Sequence, residues 1–262
     1  MDLGLKGKRA LVLGGNRGIG FGIAKALAEE GADVLIAARD PARLAAAVTE
    51  LQTVASGEIA SAEIDLLKTD ELADFAARIT ASFGPIDILV NNTGGPAYGG
   101  AANRPLKEWS EAFDDMVLSV IALTDALLPG MRDRKWGRIL TVISSGVMQP
   151  IPILAISNSL RAAVTGWSKT LSSEVAADGV TVNVLVPGRI DTERVRLTDA
   201  ATSEKQGVPI DTVQARSFAT IPMGRYGSPD ELGAAAAFIC STKASYMTGA
   251  MLRIDGGIVR SW

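Results

Sequence analysis

Short apolar runs alternate with longer amphipathic stretches along almost the whole chain, and that rhythm leaves few folds open. The runs Ala10-Leu11-Val12-Leu13, Val34-Leu35-Ile36-Ala37, Ile86-Asp87-Ile88-Leu89-Val90 and Ile139-Leu140-Thr141-Val142-Ile143 are too short for helices and apolar on both faces, as buried parallel strands are. Helical patterns fill the gaps at 18–30, 41–54, 69–83, 105–134 and 157–177, and a further strand follows at 180–186. This order predicts an α/β fold, a doubly wound parallel sheet with helices on both faces and right-handed crossovers. Residues 193–223 break the rhythm with mixed polar residues and no clean period, which suggests a lid-like insertion. A helix then opens at Ser228-Pro229-Asp230-Glu231, and a last strand near 251–254 ends in Asp255-Gly256-Gly257. With no linker, repeat or low-complexity tract, a single domain over 1–262 is expected.

Composition narrows the function. The 26 basic and 29 acidic residues leave a net charge of −3, so no basic field attracts nucleic acid or an anionic membrane, and a small-molecule substrate is expected instead. The chain has one cysteine and no histidine, which argues against a metal site or a Cys/His nucleophile. Cys240 lies in an apolar run and reads as a buried, inert thiol. The first eight residues hold no apolar core of a signal segment, and no stretch reaches transmembrane length without charges, so a cytoplasmic protein is expected.

The first strand runs into Gly14-Gly15-Asn16-Arg17-Gly18-Ile19-Gly20, and a helix begins at once. Gly14 suits a tight turn, Gly18 a close backbone approach to a pyrophosphate and Gly20 close helix–strand packing, while the helix N-terminus offers free N–H groups to the anion. Between a strand and a helix, such a loop is a strong sign of a dinucleotide-binding Rossmann fold. The second strand ends Ala37-Ala38-Arg39 with no acidic residue for a ribose 2′-hydroxyl, as NAD would need. Arg39 and Arg17 are placed to converge on a 2′-phosphate, so NADP(H) is the expected cofactor, the plainer alternative being two solvated arginines.

The glycine spacing resembles that of the classical short-chain dehydrogenases/reductases, and the resemblance covers nearly the whole chain. Asp65-Leu66 is similar to the family's adenine-contacting pair after the third strand, Asn91-Asn92-Thr93-Gly94 to its Asn-Asn-Ala-Gly signature after the fourth, and Pro187-Gly188-Arg189-Ile190-Asp191-Thr192 to the segment that holds the nicotinamide amide. Asp255-Gly256-Gly257 is similar to its C-terminal signature, while Leu13 stands where Thr is usual. The resemblance implies that Gly14, Asn16, Arg17, Gly18, Ile19, Gly20, Arg39, Asp65, Leu66, Asn92, Gly94, Arg161, Pro187, Gly188, Ile190 and Thr192 bind the cofactor.

The same register places the family's catalytic Ser at Ser144, its Tyr at Ser157, its Lys at Arg161 and its relay Asn at Met116. A serine hydroxyl is far less acidic than a phenol and shorter by a ring, so Ser157 cannot replace a tyrosine as general acid. It remains either a hydrogen-bond donor at the site or a helix N-cap. Arg161 keeps the charge and a grip on the ribose but cannot pass a proton along. Of the three tyrosines, Tyr98 is the candidate substitute donor, in a glycine-rich loop past the fourth strand, unless it is an exposed loop aromatic. Asp191 and Glu193 either donate in its place or hold the lid.

Three readings follow. The first is an NADP(H)-dependent oxidoreductase acting on a carbonyl or alcohol with a non-standard proton donor. The second is a non-redox enzyme, such as a lyase or dehydratase, on the same scaffold. The third is a non-catalytic NADP(H)-binding module. The resemblance implies a homotetramer, since the family commonly pairs the helices matching 105–134 and 157–177 between subunits and both carry wide apolar stripes; a dimer is the alternative.

Overall fold

Side chains alternate across β1 (Arg9–Leu13), so that Ala10 and Val12 enter one layer and Leu11 and Leu13 the other, all fully buried. A strand apolar on both faces needs helices on both. The computed structural model, which describes residues 1–261, supplies them. The strands β2 (Asp33–Ala38), β3 (Ile59–Glu63), β4 (Ile88–Asn91), β5 (Gly137–Val142), β6 (Val180–Pro187) and β7 (Met251–Ile254) join β1 in one seven-stranded sheet of order β3-β2-β1-β4-β5-β6-β7. Every pairing is parallel.

On one face lie α1 (Gly18–Glu29), α2 (Pro41–Gln52) and α9 (Pro229–Cys240), which bury Ile23, Leu27, Leu44, Leu51, Leu232 and Cys240. On the other lie α3 (Leu72–Phe83), α5 (Ser119–Asp133) and α6 (Ala155–Val175), with Leu72, Phe75, Leu123, Met131 and Leu171 in the core. This is the doubly wound Rossmann arrangement expected. The strand order reverses between β1 and β4, and the carboxyl ends of these two strands open a crevice at the switch point. No helix among the described residues is long and apolar enough to cross a membrane.

Three local expectations need correction. The helix expected over 105–134 is α4 (Leu106–Phe113), a π-helical segment (Asp114–Leu118) and α5. There the Ser119 hydroxyl donates to the Asp115 carbonyl, a side-chain bond of the kind that bends helices. Residues 193–223, read as lacking a period, form α7 (Glu193–Gln206) and α8 (Ile210–Phe218); α7 buries only Asp199, so no apolar stripe marks it. Ser157 is not a helix cap. The helix α6 starts at Ala155, and Ser157 lies buried in its first turn.

Candidate functional site

The crevice is a cleft of about 930 Å³ that runs from the phosphate loop past the ends of β4 and β5 to α7. At one end Gly14 and Gly18 take φ of 59° and 57°, a left-handed backbone that favours glycine. A Cβ on Gly20 would collide with the Gly14 carbonyl oxygen, so the helix can pack this closely on the loop only through glycine. Asn92 donates from Nδ2 to the Leu13 carbonyl at 3.1 Å and ties the end of β4 to that of β1.

Around this end stand Arg17, Arg39 and Arg43. Arg43 was not found from the sequence, although Asp40-Pro41 marks it. Asp40 caps α2 by accepting from the Arg43 N–H at 3.0 Å, and side chains of a first turn point back toward the helix N-terminus. The carboxylate of Glu193, the first residue of α7, reaches across and accepts from Arg17 Nη1 at 2.7 Å and Arg43 Nη1 at 3.0 Å. These two bonds, Arg43 first, hold the Glu193 carboxyl below the usual glutamate range.

The floor at the other end is built from Ser144, Ser157 and Arg161. Ser144 Oγ accepts from the Gly146 N–H at 3.1 Å, which leaves its own hydrogen free to donate. Arg161 donates from Nη1 to the Val142 carbonyl at 2.7 Å, from Nη2 to the Gly94 carbonyl at 3.1 Å and from Nε to Ser157 Oγ at 3.3 Å. One guanidinium thus joins the end of β5, the loop after β4 and the first turn of α6. It makes no ion pair among the described residues. Burial, and next the neighbouring Arg194 charge, bring its pKa down to about 10, while Asp115 opposes them. Asp115 lies on the cleft wall within the π-helical segment, and burial raises its carboxyl above the usual aspartate range.

α7 closes the cleft from above. Thr198 Oγ1 lies 2.8 Å from the Arg194 carbonyl and 2.8 Å from the Tyr98 hydroxyl, so the Tyr98 and Thr198 hydroxyls share a hydrogen bond. Arg194 donates to the Gly95 carbonyl at 3.4 Å and lies over the Tyr98 ring. Behind, the buried Asp199 accepts from Arg189 at 2.6 Å and from the Tyr226 hydroxyl at 2.8 Å. These contacts fasten α7 to the loop after β4, the segment after β6 and the turn before α9.

Residues 14–259 match the family model described as enoyl-(acyl carrier protein) reductase. The D-beta-hydroxybutyrate dehydrogenase of Cupriavidus necator is 34% identical, over 97% of this chain and 99% of that protein. The chain belongs to the short-chain dehydrogenase/reductase family. The 3-oxoacyl-[acyl-carrier-protein] reductase of Vibrio cholerae is also 34% identical, over 98% of this chain and 99% of its own. Among solved structures, L-sorbose reductase from Gluconobacter frateurii, complexed with NADPH and L-sorbose, superposes with a TM-score of 0.95 at 31% identity over 100% of both chains.

In this short-chain dehydrogenase/reductase the cleft gathers Gly14, Asn16, Arg17, Gly18, Ile19, Arg39, Leu66, Asn92, Gly94, Thr192, Ser144, Ser157, Arg161 and Tyr98. Gly20, Asp65, Pro187, Gly188 and Ile190 do not line it. Gly20 acts beneath the loop, the Asp65 carboxylate accepts from the Leu67 N–H at 3.2 Å, and the buried Ile190 bridges to Gly227. The two further acid candidates are placed elsewhere. Asp191 pairs with Arg196 at 2.8 Å, and Glu193 sits at the phosphate-loop end. Each is tied to arginine, Asp191 to Arg196 of α7 and Glu193 to Arg17 and Arg43. The tyrosine next to Asp199 is structural: Tyr226 packs edge-on against Phe218.

Proposed function

We propose that the protein is an NADP(H)-dependent oxidoreductase of the cytoplasm, acting on a carbonyl or alcohol with a non-standard proton donor. The observation that carries this reading is the asymmetry of the cleft. Three arginines stand at the phosphate-loop end, and a floor of two hydroxyls and a guanidinium lies at the other. The residues fit the cofactor. The left-handed glycines leave the backbone open to a pyrophosphate, a Cβ on Gly94 would meet nothing within 4 Å, and the volume suits a ligand of this size. Arg17, Arg39 and Arg43 would hold the 2′-phosphate, and Arg161 has N–H groups to spare for the nicotinamide ribose.

When bound, the nicotinamide supplies or accepts the hydride. Ser144 and Ser157 each have a hydroxyl hydrogen to donate to the substrate oxygen, because each Oγ already accepts elsewhere. Arg161 backs Ser157 with a fixed positive charge, so negative charge developing on that oxygen is stabilised electrostatically. In this register the family's Tyr and Lys positions hold Ser157 and Arg161, and the proton then comes from water relayed past the two serines. The engagement of the Tyr98 hydroxyl by Thr198 favours a second reading, a non-redox or non-catalytic NADP(H)-binding protein. We take α7 and α8 as the lid. Exposed Leu106, Phe113 and Leu118 beside the α4–α6 cluster support a homotetramer, which light scattering tests.

Calorimetric titration decides the cofactor. NADPH is expected to bind about 10-fold or more tighter than NADH, the size of one charge-assisted contact. Equal affinities would remove the NADP(H) reading, and a scan of carbonyl compounds for NADPH oxidation separates the enzyme from the binding module.

A further inference from the structure

The phosphate-loop arginines already hold a carboxylate. Glu193 accepts from Arg17 at 2.7 Å and from Arg43 at 3.0 Å, and Arg43 also meets Asp40 at 3.4 Å. Arg39 lines the same end of the cleft and makes no ion pair among the described residues. Glu193 therefore stands between the two guanidiniums that would grip a 2′-phosphate. It does so from the opposite wall, since it belongs to α7 and the arginines to the phosphate loop and α2.

We propose that Glu193 is a cofactor-specificity residue, a resident carboxylate that occupies Arg17 and Arg43 until a 2′-phosphate displaces it. The inference rests on the reading of this cleft as an NADP(H) site. A phosphate monoester carries close to two charges and three strong acceptor oxygens, against one charge and two oxygens for a carboxylate. It therefore wins the exchange, and Arg39 adds a third cation that Glu193 does not use. The 2′-hydroxyl of NAD(H) is uncharged and cannot take over the arginines. The exchange is easy because the Arg17, Arg43 and Glu193 side chains are 60%, 46% and 48% exposed, and exposed ion pairs are weak. The first turn of α7 is released by the exchange, while Asp199 keeps the rest of the helix anchored through Arg189 and Tyr226.

The test is calorimetry of NADPH, NADH and adenosine 2′-monophosphate with the wild type and Glu193→Gln. Removing the competing charge is expected to tighten NADPH and adenosine 2′-monophosphate about 3-fold, the scale of an exposed ion pair, and to change NADH less than about 2-fold. In an Arg43→Ala background the gain from Glu193→Gln shrinks, because the two side chains act on each other. Unchanged or weakened NADPH binding in a folded Glu193→Gln protein overturns the proposal while the cofactor reading stands. If the wild type does not prefer NADPH to NADH, the cofactor reading fails and the proposal with it.

Discussion

The two ends of one cleft treat arginine in opposite ways. At the phosphate-loop end, Arg17 and Arg43 are about half exposed and share a single acid, Glu193. At the floor, Arg161 makes three bonds to neutral oxygens, meets no acid among the described residues and has its pKa brought down to about 10. Exposed charge pairs exchange partners at little cost, whereas a desolvated cation tied to backbone carbonyls is part of the framework. The first end is therefore suited to taking and releasing a charged ligand. The second is suited to presenting a fixed charge to a reacting atom.

The largest expected effect tests whether that fixed charge replaces proton transfer. A positioned general acid contributes about 10²–10⁴-fold, so Ser157→Tyr combined with Arg161→Lys is expected to raise NADPH-dependent reduction of simple ketones by about 10²-fold. Both changes are needed, since a phenol without the lysine keeps a pKa near ~10. An unchanged rate would sink the view that the floor lacks only this donor.

A smaller effect compares the arginines directly. Arg161→Met leaves the Val142 and Gly94 carbonyls without their donor and is expected to cost about 2 kcal/mol of stability, the range for bonds to a charged group. Arg43→Met at the exposed end is expected to leave the unfolding temperature unchanged and to weaken NADPH. Equal destabilisation by the two substitutions would break the contrast.

How much of this was legible in the sequence follows the same division. The strands buried on both faces announce themselves as apolar runs, but β3, Ile59–Glu63, does not. It lies at the sheet edge with an alternating, half-exposed pattern, and only the family resemblance implied a third strand. The phosphate loop was readable because glycine there answers to backbone geometry. Arg43 and Glu193 were not placed together, since their meeting spans 150 residues and depends on how α7 crosses the cleft. Nor did the sequence show α7 as a helix, because it is anchored by the Asp199 carboxylate rather than an apolar stripe. The floor residues Ser144, Ser157 and Arg161 were legible one by one, but the three-way tie made by Arg161 was not.

The smallest effect asks whether exposed arginine–glutamate pairs stabilise the fold at all. Glu231 pairs with Arg225 at 2.7 Å and completes a capping box with Ser228 at the start of α9. The Arg225 bond first, and next the bond from the Ser228 N–H, bring its pKa from 4.5 to about 2. The folded value lies below the unfolded one, so the stabilisation is present above pH 4.5 and is lost as the pH falls toward about 2, where both states bind the proton. Urea unfolding is therefore expected to show the wild type more stable than Glu231→Gln at neutral pH. The gap is small, because water screens the pair, and it closes across this acidic window. A gap that stays constant with pH would mean that the cap's geometry, which glutamine preserves only in part, matters and the charge does not; exposed pairs such as Arg17–Glu193 would then exchange partners almost without cost.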